Sequence, residues 1–173
     1  MTQQAFATVE NGVQILTLNR PDKKNALTSE MYGVLADGLE RAERDPSIRV
    51  TLITATGDAF TAGNDMGDFA KASSTPIEEE KSNEKPHVAR FVEYLWHAEK
   101  PIIAAVNGLA VGIGVTMLLH CDIVYAAESA TFQMPFAKLG LVPETGSTLL
   151  LPRLVGLQKA ADLFMTGKKI NAQ

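Results

Sequence analysis

The sequence has little of what marks specialised chains. Its 173 residues include one cysteine, Cys121, so an intramolecular disulfide is impossible and a Cys-rich metal site is excluded. A reducing, cytoplasmic setting fits that usage. There is no basic excess: the formal net charge is −4 and the longest run of like charge is "EEE" at 78–80, which leaves no electrostatic footprint for a nucleic-acid surface. The opening "MTQQAFATVENG" has neither the basic start and apolar centre of a secretory signal nor the Arg-rich amphipathic character of a transit peptide. One uncharged stretch, "PIIAAVNGLAVGIGVTMLLHC" at 101–121, is nominally long enough to span a bilayer. Asn107, His120 and three glycines interrupt it, dividing it into a β-branched piece, a Gly-rich turn and a short apolar helix, so it predicts a buried α/β core and no membrane partner.

What is present is ordinary globular composition, with 46% hydrophobic and 21% charged residues over a length that suits one domain. "FATVEN" and "VQILTL" flank Asn11-Gly12, a two-residue hairpin signal. Thr28 or Ser29 can cap a helix in which Met31, Leu35, Leu39 and Ala42 recur at helical spacing, ending before Asp45-Pro46. "RVTLITA" reads as a buried strand and "GDAFTAGND" as a loop after it. The polar stretch from about 70 to 85 predicts a mobile surface segment. Val88, Phe91, Val92, Leu95 and Trp96 form a helical stripe expected to face the core. "PIIAAVN" is a strand, "GIGVTMLLH" a helix opening at glycines, "DIVYAA" a strand and "LQKAADLFMTG" a last helix, after which "KKINAQ" is expected to trail off without a further element. The order predicts an α/β fold with crossover connections.

Three places could carry chemistry. Gly108 and Gly112 precede a helix that starts near Ile113, whose N–H would lack an intrahelical partner and could receive an oxyanion; glycines at a helix start also serve packing alone. "FTAGND" at 60–65 could project the Asn64 N–H, or be an Asx-type turn. Convergence of the two turns would make an oxyanion hole, worth roughly a hundred- to thousandfold in rate per donor. Glu144, in "LGLVPETGST", is either a base lodged among Leu141, Val142 and Pro143 or a loop charge near the start of the "GSTLLL" helix. His120 fits a satisfied core histidine, Cys121 an inert buried thiol and Asp122 a capping or pairing residue.

Taken in order, "NRPDKKNALT", "FTAGNDM", "AVNGLAVGIGVTMLLHCDIVYAAESATF" and "KLGLVPETGST" resemble the crotonase superfamily, the enoyl-CoA hydratase/isomerase family, from about residue 8 to 170. The resemblance implies a crotonase-like spiral of strand-strand-helix units, with the C-terminal helical region that closes the pocket and builds trimers or hexamers truncated here. It implies one domain over 1–173 that binds an acyl-CoA thioester, coenzyme A being part of the substrate and no separate cofactor or metal being needed. The thioester oxygen would sit on the N–H groups of Asn64 and Ile113. Lys24, Ala26, Ala62, Asp65, Met66, Gly112 and Phe136 would line the path of the acyl-CoA, with Arg20 and Lys23 as further phosphate contacts. The paired glutamates of hydratases would fall at Thr116 and Phe136, neither of which takes a proton from water at neutral pH. Glu144 matches the position from which some enoyl-CoA isomerases supply a single acid/base, so double-bond migration from 3-enoyl-CoA to 2-enoyl-CoA is expected. Other crotonase reactions (hydration, hydrolysis or decarboxylation) and a non-catalytic CoA-binding remnant are the alternatives.

Overall fold

The computed structural model describes residues 3–68, 70 and 85–173. The segment expected to be mobile falls almost wholly outside the described residues. Strands β1 (Ala5–Glu10) and β2 (Val13–Leu18) form the expected hairpin, Ala5 opposite Leu18. Asn11 and Gly12 turn it at φ of 52° and 81°, the double left-handed geometry that Asn-Gly accommodates. Helix α1 (Ser29–Arg44) starts where Thr28 Oγ1 accepts the Met31 N–H at 3.2 Å. Its buried stripe is wider than the spacing alone predicts, because Tyr32 and Ala36 join Met31, Leu35, Leu39 and Ala42 inside.

From β3 (Val50–Ala55) onward the chain repeats one pattern. β3 pairs parallel with β2 in a large sheet, and β4 (Ala59–Thr61) then enters a smaller one before α2 (His87–His97). β5 (Ile102–Val106) returns to the large sheet beside β3, and β6 (Leu109–Val111) pairs parallel with β4 before α3 (Ile113–Thr116), which continues as a 3-10 turn over Met117–His120. β7 (Ile123–Ala126) and β8 (Thr131–Gln133) repeat the step, and α4 (Ser147–Val155) and α5 (Leu157–Thr166) follow. The large sheet runs β1-β2-β3-β5-β7 and the small one begins β4-β6-β8, so the strand-strand-helix spiral is the architecture found. The uncharged stretch 101–121 is divided among β5, β6, α3 and the 3-10 turn, and among the described residues no helix is long and apolar enough to cross a membrane.

Several expectations need correcting. "GDAFTAGND" is not all loop, since Ala59–Thr61 is a strand, and the turn after β5 contains β6. "KKINAQ" does not trail off: Gly167 ends α5 in the left-handed conformation and β9 (Lys169–Asn171) pairs antiparallel with β8. In α2 only Phe91 and Leu95 are fully enclosed, while Val88 and Trp96 are 41% and 55% exposed. Helical spacing gives the direction of a face but not how much of it is covered.

The core joins α1, α2 and both sheets. Leu16, Leu18, Ile53, Phe60 and Phe91 are among its fully buried side chains, each contributing on the order of 1.5–3 kcal/mol by burial. The rings of Tyr32 and Phe91 meet at 5.6 Å and lock α1 against α2. On the other side β7 is exposed along its whole length, and Leu154, Leu157 and Met165 stand open on α4 and α5.

Candidate active site

Two turns at the ends of β4 and β6 lie against each other. Leu27 bonds to both neighbours of Asn64: its N–H donates to the Gly63 carbonyl, and its own carbonyl accepts the Asp65 N–H, each at 2.8 Å. Alternate amides of an extended segment point to opposite sides, so the Asn64 N–H faces away from Leu27. No acceptor meets it among the described residues. Gly63, at φ +92°, packs so close to β6 that a Cβ there would sit 3.0 Å from the Val111 carbonyl oxygen. One residue on, Gly112 adopts φ 56° and ψ −118° and opens α3. The Val115 and Thr116 N–H groups return to the Gly112 carbonyl at 2.9 and 3.0 Å, which leaves the Ile113 N–H without an acceptor among the described residues.

Asn64 and Ile113 line one cavity of about 190 Å³, and Glu144 lines it too. Ala62, Met66, Gly112 and Phe136 complete the set of predicted residues that the fold brings there. Glu144 is half-buried, and a hydroxyl meets each carboxylate oxygen. Thr116 donates to Oε1 at 2.5 Å and Thr145 donates to Oε2. The apolar housing expected from its own loop is weaker than predicted, because Val142 is 82% exposed and Leu141, although it lines the cavity, is 39% exposed. Phe136 is buried and supplies the apolar wall instead.

Other candidates fall outside this cavity. Lys24 is exposed, and its carbonyl accepts the Ala62 N–H at 2.8 Å, so it shapes the turn through backbone while its ammonium lies outside the lining. Ala26 likewise acts through its carbonyl, which accepts from Arg20 at 3.0 Å. Asp65 turns to an adjoining cavity of about 360 Å³ and pairs with the Arg20 guanidinium at 2.7 Å. Arg20 thus holds Asp65 and the Ala26 carbonyl through its Nη1. Its hydrogen bond, then the Asp68 and Gly67 amides, hold the Asp65 carboxyl below the usual carboxylate range. Asn25 fastens the same loop: its side chain donates to the Thr56 and Ala59 carbonyls and accepts the Arg20 N–H.

The residues set aside for structural roles hold them. Asp122 accepts the Ile102 N–H at 2.8 Å, and His120 donates from Nε2 to the Thr145 carbonyl at 2.8 Å. Burial, then the Asp122 charge, push the Cys121 thiol up to about 12, which keeps it from being a thiolate at neutral pH. Sequence reasoning missed Tyr32 and Thr145. The Tyr32 hydroxyl donates to Asn64 Oδ1; burial, and then the Glu144 charge, push its pKa up, so it remains a donor. A wider stripe on α1 was the available signal for Tyr32. For Thr145 there was none beyond its place next to Glu144.

Comparison with known proteins fits this geometry. A model of the enoyl-CoA hydratase/isomerase family matches residues 8–173. The chain is 41% identical over its whole length to the 1,2-epoxyphenylacetyl-CoA isomerase of Escherichia coli K12, and spans 66% of that relative. It is 42% identical over 169 residues, 97% of its length, to enoyl-CoA delta isomerase 2 of Rattus norvegicus, and spans 42% of that one. The crystal structure of an enoyl-CoA hydratase/isomerase from Pseudoalteromonas atlantica T6c superposes with a TM-score of 0.89 at 48% identity, covering 98% of this chain and 64% of the other. The chain therefore belongs to the enoyl-CoA hydratase/isomerase family.

Proposed function

We propose that this protein shifts the double bond of a 3-enoyl-CoA to the 2-position, with Glu144 as its single acid/base. The observation that carries the proposal is the shared cavity, lined by the one carboxylate of Glu144 and by Asn64 and Ile113, whose backbone N–H groups meet no acceptor among the described residues. Glu144 would take a proton from C2, and the released electron pair would pass into the thioester as a dienolate. The Asn64 and Ile113 N–H groups would hold the oxygen on which that charge collects, and donors that grip the charged oxygen more tightly than the ground-state carbonyl lower the barrier. Collapse of the dienolate would return the proton from Glu144 to C4, leaving the double bond between C2 and C3 and the carboxylate restored.

Atoms and charge balance without a metal or redox partner, and coenzyme A leaves as part of the product. By the family resemblance Thr116 and Phe136 would occupy the positions of the paired glutamates of hydration, and neither side chain can supply a second acid/base. Phe136, buried in the cavity wall, would help to keep water from the acyl group. A cavity of about 190 Å³ suits the reacting end of the substrate rather than a whole acyl-CoA. The names of the two relatives favour isomerisation of a CoA thioester, and that of the enoyl-CoA delta isomerase favours an enoyl substrate.

The decisive experiment supplies purified protein with 3-enoyl-CoA and with 2-enoyl-CoA, following conjugated thioester formation and water addition. Double-bond migration is expected from the wild type, falling about 10²- to 10⁴-fold in Glu144→Gln with little change in KM. Water addition that survives Glu144→Gln would replace isomerisation with hydration. Binding of CoA thioesters without turnover would make the chain a binding protein.

A further inference from the structure

We propose that Thr116 is a positioning residue that ties the Glu144 carboxylate to the same short helix whose first N–H receives the thioester oxygen. The idea presumes the isomerase chemistry above and goes beyond it. Ile113 and Thr116 are three residues apart at the two ends of α3, and that spacing puts them on one face of a helix. Ile113 lines the cavity itself, and the Thr116 hydroxyl, buried behind the lining, reaches it through the Glu144 carboxylate. Thr116 is wholly buried, as is Ile113, so neither end of this ruler moves independently of the core. The distance between base and oxyanion donor is therefore fixed through one helical turn and one hydrogen bond, 2.5 Å from Thr116 Oγ1 to Glu144 Oε1.

The other side of the carboxylate is secured with equal specificity. Thr145 donates its hydroxyl to Oε2 while its backbone sits at φ +53°, a conformation that costs a β-branched residue about 1–2 kcal/mol. Unfavourable backbone of this kind persists when its surroundings over-determine it. Here His120 holds the Thr145 carbonyl at 2.8 Å, and the Ser147 N–H holds that of Glu144 at 3.0 Å. A hydroxyl on each oxygen fixes the carboxylate plane, and hydrogen bonds to an ionised oxygen are the stronger kind. One carboxylate that must collect a proton at C2 and deliver it at C4 profits from a fixed plane, because a misplacement of about 1 Å costs on the order of a hundredfold in rate.

The test compares Thr116→Val, which keeps the shape and deletes the hydroxyl, with Thr116→Ser, which keeps the hydroxyl. Thr116→Val is expected to lower kcat for 3-enoyl-CoA about 10- to 100-fold with KM within about twofold, and Thr116→Ser to recover to within about threefold of wild type. Thermal melting of both variants accompanies the kinetics. Equal losses in Val and Ser variants that follow a lowered Tm would assign Thr116 to packing and overturn the proposal, as would a Thr116→Val variant with wild-type kcat. Wild-type protein that fails to isomerise, or Glu144→Gln that isomerises normally, would instead remove the reaction. In that case a crystal structure of Thr116→Val decides: a displaced Glu144 carboxylate supports the positioning role, and an unmoved one ends it.

Discussion

On one side of the cavity, the Asn64 and Ile113 amides are set by backbone: a parallel bridge to Leu27, the close approach of Gly63 to β6 and the first turn of α3. On the other, Glu144 stands on a loop with exposed apolar neighbours and is kept in place by two side-chain hydroxyls. The amide side is a property of the fold, so changing the side chains that carry its donors leaves the donors in place. The base side is a property of individual side chains. Damage to the first should appear in stability and activity together, and damage to the second in activity alone.

The largest expected effect is that of Glu144→Gln, whose loss of turnover should come with a Tm close to wild type, because shape is preserved and only the acid/base is removed. Gly63→Ala should show the opposite signature. A methyl group at φ +92° and 3.0 Å from the Val111 oxygen forces the two turns apart. The backbone term alone costs about 1–2 kcal/mol, a Tm loss of several degrees, and a displaced donor adds roughly ten- to hundredfold in kcat. Melting curves and kinetics on the same two preparations would check both. A Gly63→Ala variant that loses activity at unchanged Tm would erase the contrast between the two sides.

The sequence made this contrast only half visible. Asn11-Gly12 and the Thr28 cap are local signals, and each lies where it was expected, whereas the acidic residue in "VPETGS" lines the cavity without the apolar housing expected of its own loop. β4, β6, β8 and β9 are three residues each, too short for period-two alternation to be seen, so β4, β6 and β9 read as loop, turn and tail and β8 went unassigned. The amide donors could be guessed from the glycines that flank them, but their approach to one cavity depends on a sheet the sequence did not reveal. The hydroxyl clasp joins Thr116 to Glu144 across 28 positions, and Tyr32 reaches Asn64 across 32; no periodicity reports contacts of that separation. Local signals made Asn64, Ile113 and Glu144 candidates and the resemblance assigned their roles, while the contacts that place them came only with the fold.

Asn64→Ala sharpens the comparison at smaller scale. If the working group is the backbone N–H, truncating the side chain leaves it in place, supported by the Gly63 and Asp65 bonds to Leu27. The lost contact is the Tyr32 hydroxyl, which is then left buried without its Asn64 acceptor. A fall in kcat of less than about tenfold is expected, well short of that in Glu144→Gln. A loss as deep as that of Glu144→Gln, measured in parallel, would move the function from the amide to the side chain.

The smallest effect belongs to the ion pair behind the amide turn. Arg20 and Asp65 join the loop before α1 to the residue after Asn64, with side chains 17% and 22% exposed. A pair of this kind contributes about 1 kcal/mol or less, or about 2–4 °C in Tm for a chain of this size. The Asp65 carboxyl is held below its unfolded value, first by the Arg20 hydrogen bond and then by backbone amides. Its stabilising contribution is therefore fully present above the unfolded value of about 4, and disappears as pH falls through the lower native one. Asp65→Asn should melt a few degrees below wild type at pH 7, and the gap should narrow as pH falls below about 4 and close once pH passes the lower native value. A gap that persists in acid would mean that Asp65 acts through shape and neutral hydrogen bonds. The turn carrying Asn64 would then owe its position to packing and uncharged hydrogen bonds, and the amide side of the cavity would not depend on charge.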